Sequence, residues 1–163
     1  MEYWDIYRED GTTTGKTMRR GDPIPEGGRI LLVHIVICNQ DNRFLVQKRS
    51  MNKRHFPGMW DFSGGHVQAG ETSIQGAARE AAEEVGLRFD PEQLVLAAHS
   101  VSDRDLFDVY YVKAPFRLED CQPQEEEVDE LALLSYDETV ALLHKDPWYS
   151  AVLEDIARRI GAI

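Results

Sequence analysis

Apolar residues along the chain fall into short β-branched runs and into stripes at helical spacing. Arg29–Asn39 is a long apolar run that reads as a mostly buried strand. The polar turn Asn39–Arg43 leads into a second strand candidate, Phe44–Arg49. Met59–Ser63, Leu94–Ser102, Leu106–Lys113 and Val128–Leu134 are further candidates. Glu2–Arg8 and Thr13–Arg19 flank Glu9-Asp10-Gly11, the arrangement of a hairpin. Gly21–Gly28, with Pro23 and Pro25, and Ser50–Gly58 read as loops. Two helices are predicted near the C-terminus, over Tyr136–His144 and Trp148–Ile160. A third begins at Thr72, where Thr72 and Gln75 form a capping-box pattern, and ends at Gly86. Strands mixed with three helices, without regular alternation, predict an α/β fold with a mixed sheet covered on both faces.

The third helix carries the chemistry. Ile74, Ala78, Ala81 and Val85 make its apolar stripe. Glu80, Glu83 and Glu84 stand at i, i+3 and i+4, so their carboxylates share one face, roughly 130–140° from that stripe. Like charges at this spacing destabilise a helix. A sequence that concentrates them there is expected to hold a divalent cation. Gly76, Ala77, Ala78, Ala81 and Ala82 are small enough to let the other side approach a sheet closely.

Composition narrows the setting. The 163 residues, 42% of them hydrophobic and 29% charged, are expected to form one domain with a substantial core. No apolar run reaches the length of a membrane span, and the N-terminus lacks the order of a signal peptide. Cys38 and Cys121 form neither a disulfide framework nor a metal-ligand spacing, so reduced thiols in a cytoplasm are the expectation. A net charge of −11 argues against a nucleic-acid polymer as partner. Phosphates can bind so acidic a chain only where metals or a local basic patch reverse the field. One patch qualifies: Lys48, Arg49, Lys53, Arg54 and His55, within eight residues.

Several other features carry less. Gly11-Thr-Thr-Thr-Gly15-Lys16-Thr17 looks like a phosphate-binding loop, but only three residues separate its glycines and no amphipathic helix follows. A hairpin is the better reading. Ser63 lies outside any nucleophile-elbow pattern. His66 can reach a substrate beside the metal, although a lone histidine is more often structural. His34 lies inside an apolar strand and reads as a core or edge residue, and His99 and His144 carry no signal. Trp60, Phe62, Tyr110 and Tyr111 can stack a base, but aromatics at strand spacing are more often core. Glu125-Glu126-Glu127 is a second acidic group, read first as a solvated charge run.

Gly65 to Leu87 resembles the Nudix box, G-x5-E-x7-R-E-U-x-E-E-x-G-U with U a bulky apolar residue. Gly65, Glu71, Arg79, Glu80, Glu83, Glu84, Gly86 and Leu87 match in register; Ala81 is the one departure. The resemblance implies an α/β/α sandwich over residues 1–163 and a Mg²⁺-dependent hydrolase, with Mn²⁺ a substitute. Its substrate is a small diphosphate, a nucleoside diphosphate linked to another moiety or a related phospho-metabolite. Glu83 and Glu84 are then central metal ligands, with the Gly65 carbonyl as a further oxygen. Glu80 is a ligand or general base, Arg79 orients it, and Glu71 fixes the loop of the box. Lys48 and Arg49 neutralise the nonreacting phosphate, and one of Glu125, Glu126 and Glu127 can join the site.

The flanking segments add a branch. W-D-I-Y-R-E-D-G-x3-G-x3-R-R-G and Q-K-R-S-x2-K-x3-P-G-M-W-D are similar to the isopentenyl-diphosphate isomerase-like part of the superfamily. Isomerase activity is therefore one rival reading. Those isomerases carry a catalytic cysteine where Gly64 stands here, and a metal-binding histidine where Ile30 stands. A non-catalytic phospho-ligand-binding module is another rival, though such modules usually lose a box glutamate or the arginine. The N-terminal hairpin also offers an edge to a second chain, so a homodimer is an open expectation.

Overall fold

The computed structural model describes residues 1–163. Strand β1 (Tyr3–Tyr7) and strand β2 (Thr13–Arg19) form an antiparallel two-stranded ribbon, as the hairpin pattern predicts. Gly11, in the turn, and Gly15, within β2, have φ of 88° and 84°, a backbone geometry that glycine adopts without strain. The segment that imitates a phosphate-binding loop is thus part of a hairpin.

The main sheet is built around β3 (Ile30–Cys38). Along one side it runs parallel to β8 (Asp105–Lys113), which pairs antiparallel with β7 (Val95–Val101) at the edge. On its other side β3 changes partner. Its first half pairs with β6 (Ser63–His66), and Cys38 pairs with the first residue of β4 (Phe44–Arg49). Strand β4 also pairs with β5 (Trp60–Asp61) and with β9 (Val128–Leu134). The single strand predicted over Met59–Ser63 is therefore two short ones. The chain leaves β4 at Asp61, buries Phe62, and joins β3 at Ser63. This jump opens a gap between β4 and β6, and the site lies there.

Both faces of the sheet are covered, because β3 sends alternate residues to opposite sides. Leu31, Val33, Ile35 and Ile37 pack with Ala77, Ala81 and Val85 of helix α1 (Ser73–Val85). Val36 and Cys38, with Phe44, Val46 and Val109, pack against Leu143 of α2 (Tyr136–Leu143) and Val152, Leu153 and Ile156 of α3 (Pro147–Ile160). Full burial of each such aliphatic side chain stabilises by about 1.5–3 kcal/mol. Ala77 and Ala81 are fully buried, so the small side of α1 does sit directly on the sheet. The buried stripe is turned slightly from the predicted one, with Ala77 at its centre and Ile74 and Ala78 partly buried at its rim.

Both ends of α1 are closed as predicted. Gln75 N–H donates to Thr72 Oγ1 at 3.3 Å, and Thr72 N–H donates to Gln75 Oε1 at 2.9 Å. Gly86 ends the helix at φ 73°, against the backbone of Gln122. No helix is long and apolar enough to cross a membrane.

Candidate active site

The glutamate face of α1 forms one wall of a cleft of about 570 Å³. Strand β4 contributes Gln47 and Arg49, β6 contributes Gly64, Gly65 and His66, and the loop after β4 contributes Lys53, His55, Phe56 and Met59. The N-terminal ribbon reaches the same cleft through Glu2 and Arg20.

Arg79 organises the acidic wall. Its Nε and Nη2 donate to the two oxygens of Glu71, at 2.7 and 3.1 Å. Its Nη1 donates to Glu80 Oε1 at 3.0 Å and to Glu83 Oε2 at 3.2 Å, and Nη2 also donates to the His66 carbonyl at 3.0 Å. Burial alone lowers the Arg79 pKa, but the Glu71 and Glu80 carboxylates outweigh it and raise the value. Glu71 Oε1 also accepts the Gln68 N–H at 2.8 Å, tying the loop before α1 to the arginine. Glu84, on the inner side of the helix, is buried. It accepts hydrogen bonds from Ser63 Oγ (2.8 Å), Gly64 N (2.9 Å) and Gln47 Nε2 (3.0 Å).

The donor chemistry fits a divalent cation. Six carboxylates line the cleft (Glu2, Asp61, Glu80, Glu83, Glu84 and Glu127) against four cationic side chains (Arg20, Arg49, Lys53 and Arg79), an excess of two negative charges. Burial and the neighbouring Glu84 push the Glu80 carboxyl up to about 8, although Arg79 opposes them. Burial also raises Glu84, against its three hydrogen bonds. Both shifts come chiefly from burial, which disfavours a carboxylate unless a cation compensates it. Hard carboxylate oxygens are the ligands that magnesium prefers. At Gly65 the backbone meets the Glu80 carboxylate so closely that any Cβ would overlap it. Gln47 Oε1, beside this group, is buried without a partner. No three acidic, histidine or cysteine side chains stand preassembled at metal-ligand spacing, since Glu80 and Glu83 lean on Arg79 and Glu84 on Ser63, Gly64 and Gln47.

The sequence-predicted residues divide. Gly65, Arg79, Glu80, Glu83 and Glu84 line the cleft, with Glu71 directly behind them. Arg49 lines it, but Lys48 does not. Alternation along β4 sends Gln47 and Arg49 to the α1 side and Lys48 to the opposite side, so the two adjacent cations do not share the cleft. Of the second acidic group only Glu127 enters the cleft, where it pairs with Lys53 at 2.7 Å. Tyr110 is core, and Trp60 and Tyr111 are partly buried outside the cleft. Phe62 touches the cleft floor but is buried.

Three contributors had no readable signal. Arg20 is held by Glu2 at 3.0 Å, and Glu2 also accepts from Trp4 Nε1 and Gln68 Nε2. His34 is a wall residue whose Nδ1 lies 2.7 Å from Tyr149 Oη; burial lowers it to about 4. Asp61 pairs with Lys145 at 2.6 Å. His66 both lines the cleft and stacks on Trp4, with ring centroids 4.1 Å apart.

Comparison with known proteins agrees with this geometry. The NUDIX domain family matches residues 28–156. An uncharacterized Nudix hydrolase of Listeria monocytogenes is 36% identical over 144 residues, 87% of this chain and 85% of that protein. An isopentenyl-diphosphate Delta-isomerase of Streptomyces avermitilis is 28% identical over 166 residues, covering 92% of this chain and 81% of its own. A crystal structure of a Deinococcus radiodurans protein, DR0079, superposes with a TM-score of 0.74 at 20% identity, over 94% of this chain and 98% of that one. The chain belongs to the Nudix hydrolase family.

Proposed function

We propose that this Nudix pyrophosphohydrolase uses Mg²⁺, with Mn²⁺ as a substitute, to cleave a pyrophosphate bond in a small diphosphate. The substrate is a nucleoside diphosphate linked to another moiety, or a related phospho-metabolite. The observation that carries this reading is the single guanidinium of Arg79 holding Glu71, Glu80 and Glu83 on a wall that faces Arg49 and Lys53. Glu83 and Glu84, with the Gly65 carbonyl, would hold the ion, Glu80 would be a further ligand or the general base, and Glu127 is the acidic group of the late loop that lines the same cleft. A bound divalent cation supplies Lewis acidity at the phosphoryl oxygens and an acidified water for attack on phosphorus. Glu80 would accept a proton from the attacking water, Arg79 would keep its carboxylate in line, and Arg49 and Lys53 would neutralise the nonreacting phosphate. Residues 1–163 act as one unit, since Glu2 and Arg20 complete the cleft from the ribbon. Free, buried Cys38 and Cys121 suit a cytoplasmic setting.

The isomerase reading is disfavoured on two observations. At Gly64 a Cβ would overlap the His34 ring and the Val33 carbonyl, so a cysteine there does not fit this backbone. Neither Cys38 nor Cys121 lines the cleft, and burial pushes their thiols up to about 12 and about 11. The deciding assay measures product release from a panel of nucleoside diphosphate derivatives with Mg²⁺, for wild type, Glu83→Gln and Glu80→Gln. Glu80→Gln should lower kcat by about 10²–10⁴-fold. Absence of cleavage across the panel, with ligand still bound by the Glu83→Gln variant, overturns the hydrolase reading. Turnover of isopentenyl diphosphate to its allylic isomer would revive the isomerase.

A further inference from the structure

Three residues other than glycine have left-handed backbone: Asn42 (φ 56°), Phe56 (φ 53°) and His144 (φ 48°). Two have a local reason. Asn42 closes the turn between β3 and β4, where asparagine tolerates this region, and His144 is the C-cap of α2. Phe56 has none, because a bulky aromatic residue is a poor choice for such a turn. Its side chain is also 71% exposed, at the mouth of the cleft. A strained, water-exposed aromatic persists only where its surroundings over-determine it, and such positions cluster at ligand clamps.

The loop that carries it is closely tied down. Arg49 N–H donates to the Met59 carbonyl (2.8 Å), Gly58 N–H to the Arg49 carbonyl (2.9 Å), and Arg49 Nε to the His55 carbonyl (2.5 Å). Lys53 is locked to Glu127, and Met51 N–H donates to Asp129. The ring is therefore held outward on a fixed support. Met59, 43% exposed, lines the same mouth. Arg49, at the end of β4, and Lys53 and His55 of this loop line the same cleft. Phosphates neutralised by Arg49 and Lys53 place whatever group they carry beside Phe56.

We propose that Phe56 is a specificity-determining residue whose exposed ring stacks on a planar heterocycle attached to the diphosphate. This rests on the hydrolase reading of the cleft. A one-sided shelf suits a rigid ring, which covers a whole aromatic face with little conformational entropy to lose. A flexible hydrocarbon chain needs walls on several sides, and here the opposite wall is charged.

The test uses the full chain with Mg²⁺, comparing wild type, Phe56→Ala and Phe56→Trp on ADP-ribose and on geranyl diphosphate. Phe56→Ala should raise KM for ADP-ribose about tenfold or more, leave its kcat within about twofold, and leave geranyl diphosphate unaffected. Phe56→Trp should keep the wild-type KM, and its added fluorescence should be quenched on titration with AMP. A KM unchanged by Phe56→Ala, or raised equally for both compounds, overturns the proposal, as does fluorescence indifferent to AMP. If neither these two compounds nor any of the nucleoside diphosphate panel is cleaved, yet AMP quenches the Phe56→Trp variant, the hydrolase reading fails and the shelf stands.

Discussion

Arg79 meets five acceptor atoms with one guanidinium, and this geometry belongs to arginine alone. A lysine has three donors and no planar fork, so it can engage Glu71 or Glu80 but not both oxygens of one and a single oxygen of each of the others. Arg79→Lys should therefore keep the charge and lose the alignment of Glu80. Steady-state kinetics with saturating Mg²⁺ should show a kcat lower by about 10²-fold, with KM nearly unchanged. A wild-type kcat in that variant would show that Arg79 serves only to stabilise α1. Gly65→Ala tests the same contact from the backbone side. Its Cβ would displace the Glu80 carboxylate, so activity should fall by about 10²-fold while far-ultraviolet circular dichroism stays native.

At the scale of elements, α1 is held by a cap, a sheet-facing row of alanines and a left-handed glycine. Thr72→Ala removes the cap and should cost about 1 kcal/mol, a fall in Tm of about 2–4 °C for a chain of this size. Ala81→Leu should cost about 1–3 kcal/mol in urea denaturation, because fully buried Ala81 has no room to grow against β3. The β1–β2 ribbon lies outside the matched residues 28–156, yet it delivers Arg20 and the Trp4–His66 stack. Arg20→Ala should raise KM several-fold and leave Tm unchanged, since its side chain is 58% exposed. Loss of thermal stability in that variant would instead make Arg20 a strut for Glu2.

Across the whole molecule, the two buried layers are linked through His34, which joins the cleft wall to Tyr149 of α3. Its pKa falls from 6.5 in the unfolded chain to about 4 in the folded one, because burial disfavours the imidazolium more than Asp61 favours it. As the pH drops through 6.5 the unfolded state takes up a proton that the folded state refuses. The contribution of neutral His34 is thus fully present above 6.5 and is lost progressively towards pH 4. Melting curves of wild type should fall more steeply over this window than those of His34→Gln. Parallel curves would place the acid sensitivity elsewhere.

How much of this was readable along the chain depends on the range of the interactions. The spacing of Glu80, Glu83 and Glu84, the Thr72–Gln75 cap and the Gly86 stop are all set within one helix, where the backbone repeat fixes directions within a few residues. The long apolar run of β3 likewise foretold a strand buried on both sides. Lys48 and Arg49 look equivalent along the chain, but adjacent residues of a strand face opposite sides, and only the packing of β4 against the two helix layers says which side is the cleft. Met59–Ser63 misled because an apolar run does not announce a change of partner.

By itself, then, the sequence determined the acidic face and the capped helix through local periodicity and spacing, and the layered fold and the family through its resemblance to the Nudix box. Only the tertiary structure decided which cations face the glutamates, which acid of Glu125, Glu126 and Glu127 enters, and that residues as distant as Arg20, His34 and Phe56 share one cavity. Those choices depend on strand pairing and on loops crossing between layers, contacts between residues far apart in the chain that no local pattern records.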